Sequence, residues 1–134
     1  MPCVQSEEYM QHILVVDDDT QIAMLFEGFL EASGYRVTVA NNALAALEAD
    51  ARDAADAVVT DLSMPGMNGR ELIDQLRARR PHLPAMIVSG YPCNNDLDKA
   101  NRIVVLMKPV RLMQLAERLR DILADAQTAH NLTA

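Results

Sequence analysis

A chain of 134 residues makes one domain, long enough to bury roughly two thirds of the surface its unfolded form exposes. Half of the residues are hydrophobic but only 4% are aromatic and Trp is absent, so the core must be aliphatic. The formal charge of −7 argues against nonspecific nucleic-acid binding, which needs a basic face, and no apolar stretch approaches the ~20 residues of a membrane helix.

The first twelve residues, MPCVQSEEYMQH, carry no basic n-region and no apolar h-region, so no signal peptide is expected. Cys3 and Cys93 fit neither a disulfide framework nor paired metal ligands, and read as reduced thiols in a cytoplasmic protein. A first strand is expected over residues 12–16. A helix over residues 20–32 follows, capped by Asp19, with Ile22, Leu25, Phe26, Phe29 and Leu30 on its apolar face and Gly34 as its stop. Residues 35–39 read as a second strand, and Asn41 or Asn42 caps a short Ala/Leu helix ending near Asp50.

The third strand is expected at residues 57–60, closed by Asp61 and followed by the turn Ser63-Met64-Pro65-Gly66-Met67. Asn68 with Glu71 forms a capping pair for a helix carrying Leu72, Ile73 and Leu76. Arg77, Arg79 and Arg80 read as its solvated end, complementing the helix dipole. Residues 85–88 and 103–107 are the fourth and fifth strands. A last helix carries Leu112, Leu115, Leu119, Ile122 and Leu123, and fades into a tail after about Asp125.

Uninterrupted apolar strands separated by helices mean a parallel sheet covered on both faces. The expected fold is α/β, a doubly wound five-stranded parallel sheet of order 2-1-3-4-5, flavodoxin-like. The domain spans residues 12–125, between an extension at 1–11 and a tail at 126–134. Four of the strands end in polar residues: Asp17-Asp18, Asp61, Ser89 and Lys108. In an open parallel sheet these ends share the edge where ligands bind.

At ~4 Å and an effective dielectric near 20, each pair among Asp17, Asp18 and Asp61 repels by about 4 kcal/mol. Such a site takes up a proton or binds a cation, and carboxylates with water favour Mg²⁺. An ammonium at Lys108 and a hydroxyl at Ser89 suit a phosphoryl group, which a carboxylate can accept as an aspartyl-phosphate. Asp61 stands alone on the central strand and is the better acceptor, while Asp17 and Asp18 read as the metal pair.

The segments VVDDD (residues 15–19), VVTDLSMPGMNG (58–69), IVSGY (87–91) and MKP (107–109) resemble the receiver domains of two-component response regulators. The resemblance implies phosphorylation at Asp61, direct Mg²⁺ ligation by Asp18 and Asp61, assistance from Asp17, and a further ligand in the Ser63 carbonyl. It makes Ser89 the switch hydroxyl and Lys108 the phosphate-binding lysine, with a cis bond to Pro109. It also implies a histidine kinase or histidine phosphotransfer protein as donor and a downstream protein partner, without direct nucleic-acid or membrane contact.

Two departures stand out. The position that often holds a switching aromatic in receivers is Val105, and the span from Ser89 to Lys108 is shorter than is usual in the family. The helix expected there, over residues 92–100, should be short, displaced or mobile. Any activation change would then run through Ser89 and the segment beginning at Tyr91.

The Ser-Gly-Tyr sequence resembles receivers attached to hybrid kinases and some standalone ones, which favours phosphorelay. Such a domain catalyses its own phosphorylation without being an enzyme in the ordinary sense. Two other readings are an Mg²⁺-dependent phosphohydrolase with Asp61 as nucleophile, and a receiver piece of a larger hybrid kinase or transcriptional regulator. Phosphohydrolases of that kind place a second Asp where this chain has Ser63.

Overall fold

The computed structural model describes residues 10–90 and 102–133, with side chains to residue 126. Its elements are β1 (His12–Val16), α1 (Thr20–Ala32), β2 (Arg36–Ala40), α2 (Ala43–Arg52), β3 (Ala57–Asp61), α3 (Gly69–Arg79), β4 (Ala85–Ser89), β5 (Ile103–Met107) and α4 (Leu112–Thr133). The five strands form one parallel sheet in the order β2-β1-β3-β4-β5, as the apolar runs require. Residues 91–101, including Tyr91 and the expected short helix, lie outside the described residues, as do Cys3 and Cys93.

The first three helices begin where their sequences signal a start. Asp19 accepts the Gln21 and Ile22 N–H groups at the head of α1. Asn42 caps α2 through the Ala45 N–H, and Asn68 and Glu71 form the full capping box of α3. Gly34 follows α1 with φ +102°, a conformation that disfavours any residue with a Cβ.

Alternation along the strands sends side chains to two separate cores. On one face Leu14, Val16, Val58 and Ile87 pack with Leu72, Ile73 and Leu76 of α3 and the alanines of α2. On the other, Ile13, Val15, Val59 and Val88 pack with Phe26 and Leu30 of α1 and Leu115, Leu119 and Leu123 of α4. At the opposite end of the sheet from the polar strand ends, the buried His12 ring places Nδ1 3.1 Å from the Ala54 carbonyl and Nε2 2.7 Å from Thr38 Oγ1.

Three local expectations need correction. Leu25 is 56% exposed rather than core; Ala23, Phe26 and Leu30 are the residues of α1 that the sheet covers completely. The buried stripe of Ala23, Phe26 and Leu30 runs one position later than the expected stripe of Ile22, Leu25 and Phe29. The last helix does not fray at Asp125 but continues to Thr133, because Ala124 to Ala129 contain helix formers and neither Gly nor Pro.

Nor is the arginine cluster a solvated helix end. Arg77 donates to the Leu83 carbonyl at 2.9 Å and to the Arg102 carbonyl at 3.0 Å, and burial lowers the pKa of its guanidinium. Arg80 pairs with the buried Asp50 carboxylate and donates to the Ala55 carbonyl. Of the three, only Arg79 is exposed.

Candidate functional site

The C-terminal ends of β1, β3, β4 and β5 are neighbours in the sheet, so their trailing residues collect along one edge. Asp61 is the last residue of β3 and pairs in register with Val88, one residue before Ser89 at the end of β4. Ser89 pairs with Met107, and its carbonyl accepts the Lys108 N–H at 2.8 Å. Parallel register alone brings Asp61, Ser89 and Lys108 to adjacent positions.

Asp17, Asp18 and Asp61 present carboxylate oxygens that all lie within 4.8 Å of one another. Asp17 and Asp61 are buried, 2% and 8% exposed, while Asp18 faces solvent. The Lys108 ammonium lies 3.3 Å from Asp61 Oδ1 and 3.9 Å from Asp17 Oδ2, bridging the two buried acids. The Asp19 N–H donates to Asp17 Oδ1 at 2.8 Å, so the residue that caps α1 also turns Asp17 into the cluster.

Burial is the largest influence on Asp17 and raises its carboxyl pKa above the ordinary value. The charges of Asp61 and Asp18 push the same way, and the Asp19 N–H and Lys108 oppose them. One ammonium among three carboxylates leaves the cluster with net negative charge, open to a cation. The donors are all hard oxygens, which fits Mg²⁺ by ligand chemistry and by spacing.

Ser89 is buried at the strand end. Ser63 is exposed in the loop after β3. Val105 is half-buried and packs against the core on the α2 and α3 face. The Lys108–Pro109 bond is cis.

Sequence reasoning missed the supports of the Asp61 main chain. Thr60 Oγ1 donates to the Asp61 carbonyl at 2.9 Å, and Gly69 N–H donates to the Leu62 carbonyl at 2.9 Å. Gly69 begins α3 in direct contact with the Asp61 backbone. Both residues lie inside the segment VVTDLSMPGMNG, where the signal available was a glycine at a helix start rather than at a turn.

Residues 13–120 match the family described as response regulator receiver domain. The chain is 31% identical over 122 residues to the transcriptional regulatory protein ZraR of Klebsiella oxytoca, covering 89% of this chain and 28% of that protein. It is 36% identical over 115 residues to the response regulator MprA of Mycobacterium leprae, covering 83% and 50% respectively. The sensory/regulatory protein RpfC of Xanthomonas campestris is 35% identical over 120 residues, which is 84% of this chain and 16% of RpfC. The chain thus spans half or less of the length of these three relatives. Among solved structures, a CheY-like receiver domain protein from Methanospirillum hungatei superposes with a TM-score of 0.82 at 28% identity, covering 90% of this chain and 98% of that one.

Proposed function

Because the chain belongs to the response regulator receiver domain family, we propose that it takes up a phosphoryl group on Asp61 from a histidine kinase or histidine phosphotransfer protein. It then signals by binding a downstream protein or by passing the phosphoryl onward. Receivers are signalling modules found in response regulators and in hybrid kinases, and this chain has their five-stranded sheet. The observation that carries the reading is the Lys108 ammonium 3.3 Å from Asp61 Oδ1, beside two further carboxylates.

In this mechanism an oxygen of Asp61 attacks phosphorus. The bond from phosphorus to the donor imidazole nitrogen breaks, its electron pair remains on that nitrogen, and an aspartyl-phosphate results. Lys108 exchanges its contact with the carboxylate for one with the phosphoryl oxygens, and Ser89 supplies a hydroxyl to another. Asp18 and Asp61 would hold Mg²⁺ directly, Asp17 would assist, and the Ser63 carbonyl would add a ligand. Bound there, Mg²⁺ supplies positive charge against the phosphoryl oxygens.

With Val105 in place of a ring, the switch would run through Ser89 and the segment starting at Tyr91. The net charge of −7 gives no electrostatic footprint for nucleic acid, and among the described residues no helix is long and apolar enough to cross a membrane. A cytoplasmic location is part of the proposal. The phosphohydrolase reading is not favoured: the family match covers the domain and Ser63 offers no second acid.

Asp61→Asn tests the assignment, since it swaps near-isosteric groups at a strand end. It should leave the circular dichroism spectrum unchanged and abolish acid-labile, hydroxylamine-sensitive labelling by acetyl phosphate or a phosphorylated kinase. Retained labelling on the folded variant would sink the assignment. Phosphotransfer profiling against the kinases of the same organism would identify the donor.

A further inference from the structure

Gly69 lies against the main chain of Asp61 with no side chain between them. A Cβ added at position 69 would overlap the Asp61 carbonyl oxygen and stand 3.1 Å from both the Asp61 carbonyl carbon and Thr60 Cγ2. The other described glycines, Gly28, Gly34, Gly66 and Gly90, have nothing within 4 Å of such an atom. The same Asp61 carbonyl accepts the Thr60 hydroxyl at 2.9 Å.

Two of the three atoms that a Cβ would meet are backbone, so no flexible side chain can swing aside to make room. Helix α3 is itself anchored by its capping box and by the fully buried Leu72, Ile73 and Leu76. Any side chain at 69 must therefore displace either this anchored helix or the peptide of Asp61. The carboxylate of that residue is already set 3.3 Å from Lys108 Nζ.

We infer that Gly69 is a positioning residue for phosphoryl transfer: its missing side chain, together with the Thr60 hydroxyl, sets the main-chain position from which the Asp61 carboxylate reaches phosphorus. The inference rests on the reading of Asp61 as the acceptor. With acetyl phosphate as donor, an Asp61 oxygen bonds to phosphorus while the bond from phosphorus to the acetate oxygen breaks, and acetate leaves with that electron pair. Attack requires the reacting atoms to be roughly 3–3.5 Å apart, and a misplacement on the order of 1 Å can lower the rate about 10²-fold. Donor binding also relies on Lys108 and on Mg²⁺ that Asp18 helps to hold, so at saturating Mg²⁺ the loss should fall mainly on the maximal rate rather than on the half-saturating donor concentration.

The test measures labelling by acetyl phosphate with Mg²⁺ across donor concentrations, in the parent chain and in Gly69→Ala, Gly28→Ala, Thr60→Val and Asp61→Asn. Assays are run well below each melting temperature. Gly28→Ala, whose new methyl enters open space, should label within twofold of the parent. At saturating Mg²⁺, Gly69→Ala should lose about 10²-fold in maximal rate, a far larger change than any in the half-saturating concentration.

If Gly69→Ala does not fold, Thr60→Val decides instead, because it releases the same carbonyl without adding an atom at 69. A several-fold loss of maximal rate then supports the inference, and a parental rate overturns it. A folded Gly69→Ala that labels at the parental rate, or whose loss lies wholly in donor half-saturation, also overturns it. Labelling that persists in Asp61→Asn would instead fault the acceptor assignment.

Discussion

Arg80, the residue just after α3, pairs with the buried carboxylate of Asp50 near the end of α2. The same guanidinium reaches the Ala55 carbonyl, and Asp50 Oδ1 also accepts the Ala55 N–H at 2.9 Å. Two helices and the loop leading into β3 are thereby fastened at the end of the sheet away from the acidic cluster. Arg80→Leu leaves Asp50 buried with a single neutral partner. It should lower stability by about 2–4 kcal/mol, less than the full penalty for a buried pair because Arg80 keeps partial solvent access. Urea denaturation followed by circular dichroism checks this, and Arg79→Leu, at an exposed position, should shift the midpoint little.

Lys108 faces both Asp17 and Asp61. Lys108→Met removes that ammonium while keeping a flexible stem. The metal-free variant should melt lower than the parent, because the carboxylates then repel one another without the intervening cation. Added Mg²⁺ should recover more of the melting temperature in the variant than in the parent. Calorimetry with and without Mg²⁺ reads both changes.

Magnesium affinity should depend unequally on the paired acids. Asp18→Ala should weaken binding more than Asp17→Ala, since direct ligation is assigned to Asp18, whereas Asp17 is also engaged by the Asp19 N–H. At a free concentration of about a hundred times Kd, Mg²⁺ should add about 2.7 kcal/mol to the stability of the parent. Isothermal titration of the two variants decides the ordering, and equal losses would count against it.

The pair at the opposite end of the sheet predicts the acid limb of stability. A hydrogen bond from Arg36 is the main cause holding the Asp53 carboxyl below its ordinary pKa, with His12 beside it at 3.8 Å. A folded-state value below the unfolded one means the contribution is present above about pH 4 and is lost as pH falls through the folded value. Because the pair is exposed, the effect is small and salt-sensitive. The gap in melting temperature between the parent and Asp53→Asn should close as pH is lowered from 5 to 2, and should narrow in high salt.

The sheet and the acidic edge were legible because short β-branched runs announce parallel strands, and parallel strands align their trailing residues. Asp17, Asp18, Asp61, Ser89 and Lys108 needed no knowledge of packing to be brought together. Other contacts depend on reach. Nothing in the spacing of Arg77 or Arg80 tells that one guanidinium meets the carbonyls of Leu83 and Arg102 while the other meets Asp50. Leu25 was misread because hydrophobicity marks a helix face only to within about a residue, and Ala23 rather than Leu25 faces the sheet. Gly69 was hidden because a glycine chosen for close approach looks in sequence like one chosen for a turn.

The division of the apolar interior into two sets on opposite faces of the sheet bears on how sequence changes combine. Ile73 belongs to the α2 and α3 side and Ile13 to the α1 and α4 side, with the sheet backbone between. Trimming either to Val should cost roughly 0.5–1.5 kcal/mol, and the double variant should equal the sum to within about 0.5 kcal/mol. Changes within one set, such as Ile73 with Leu76, compete for the same space and should depart from additivity. The two sides can therefore drift in composition independently, each answerable only to its own neighbours and to the strands they share.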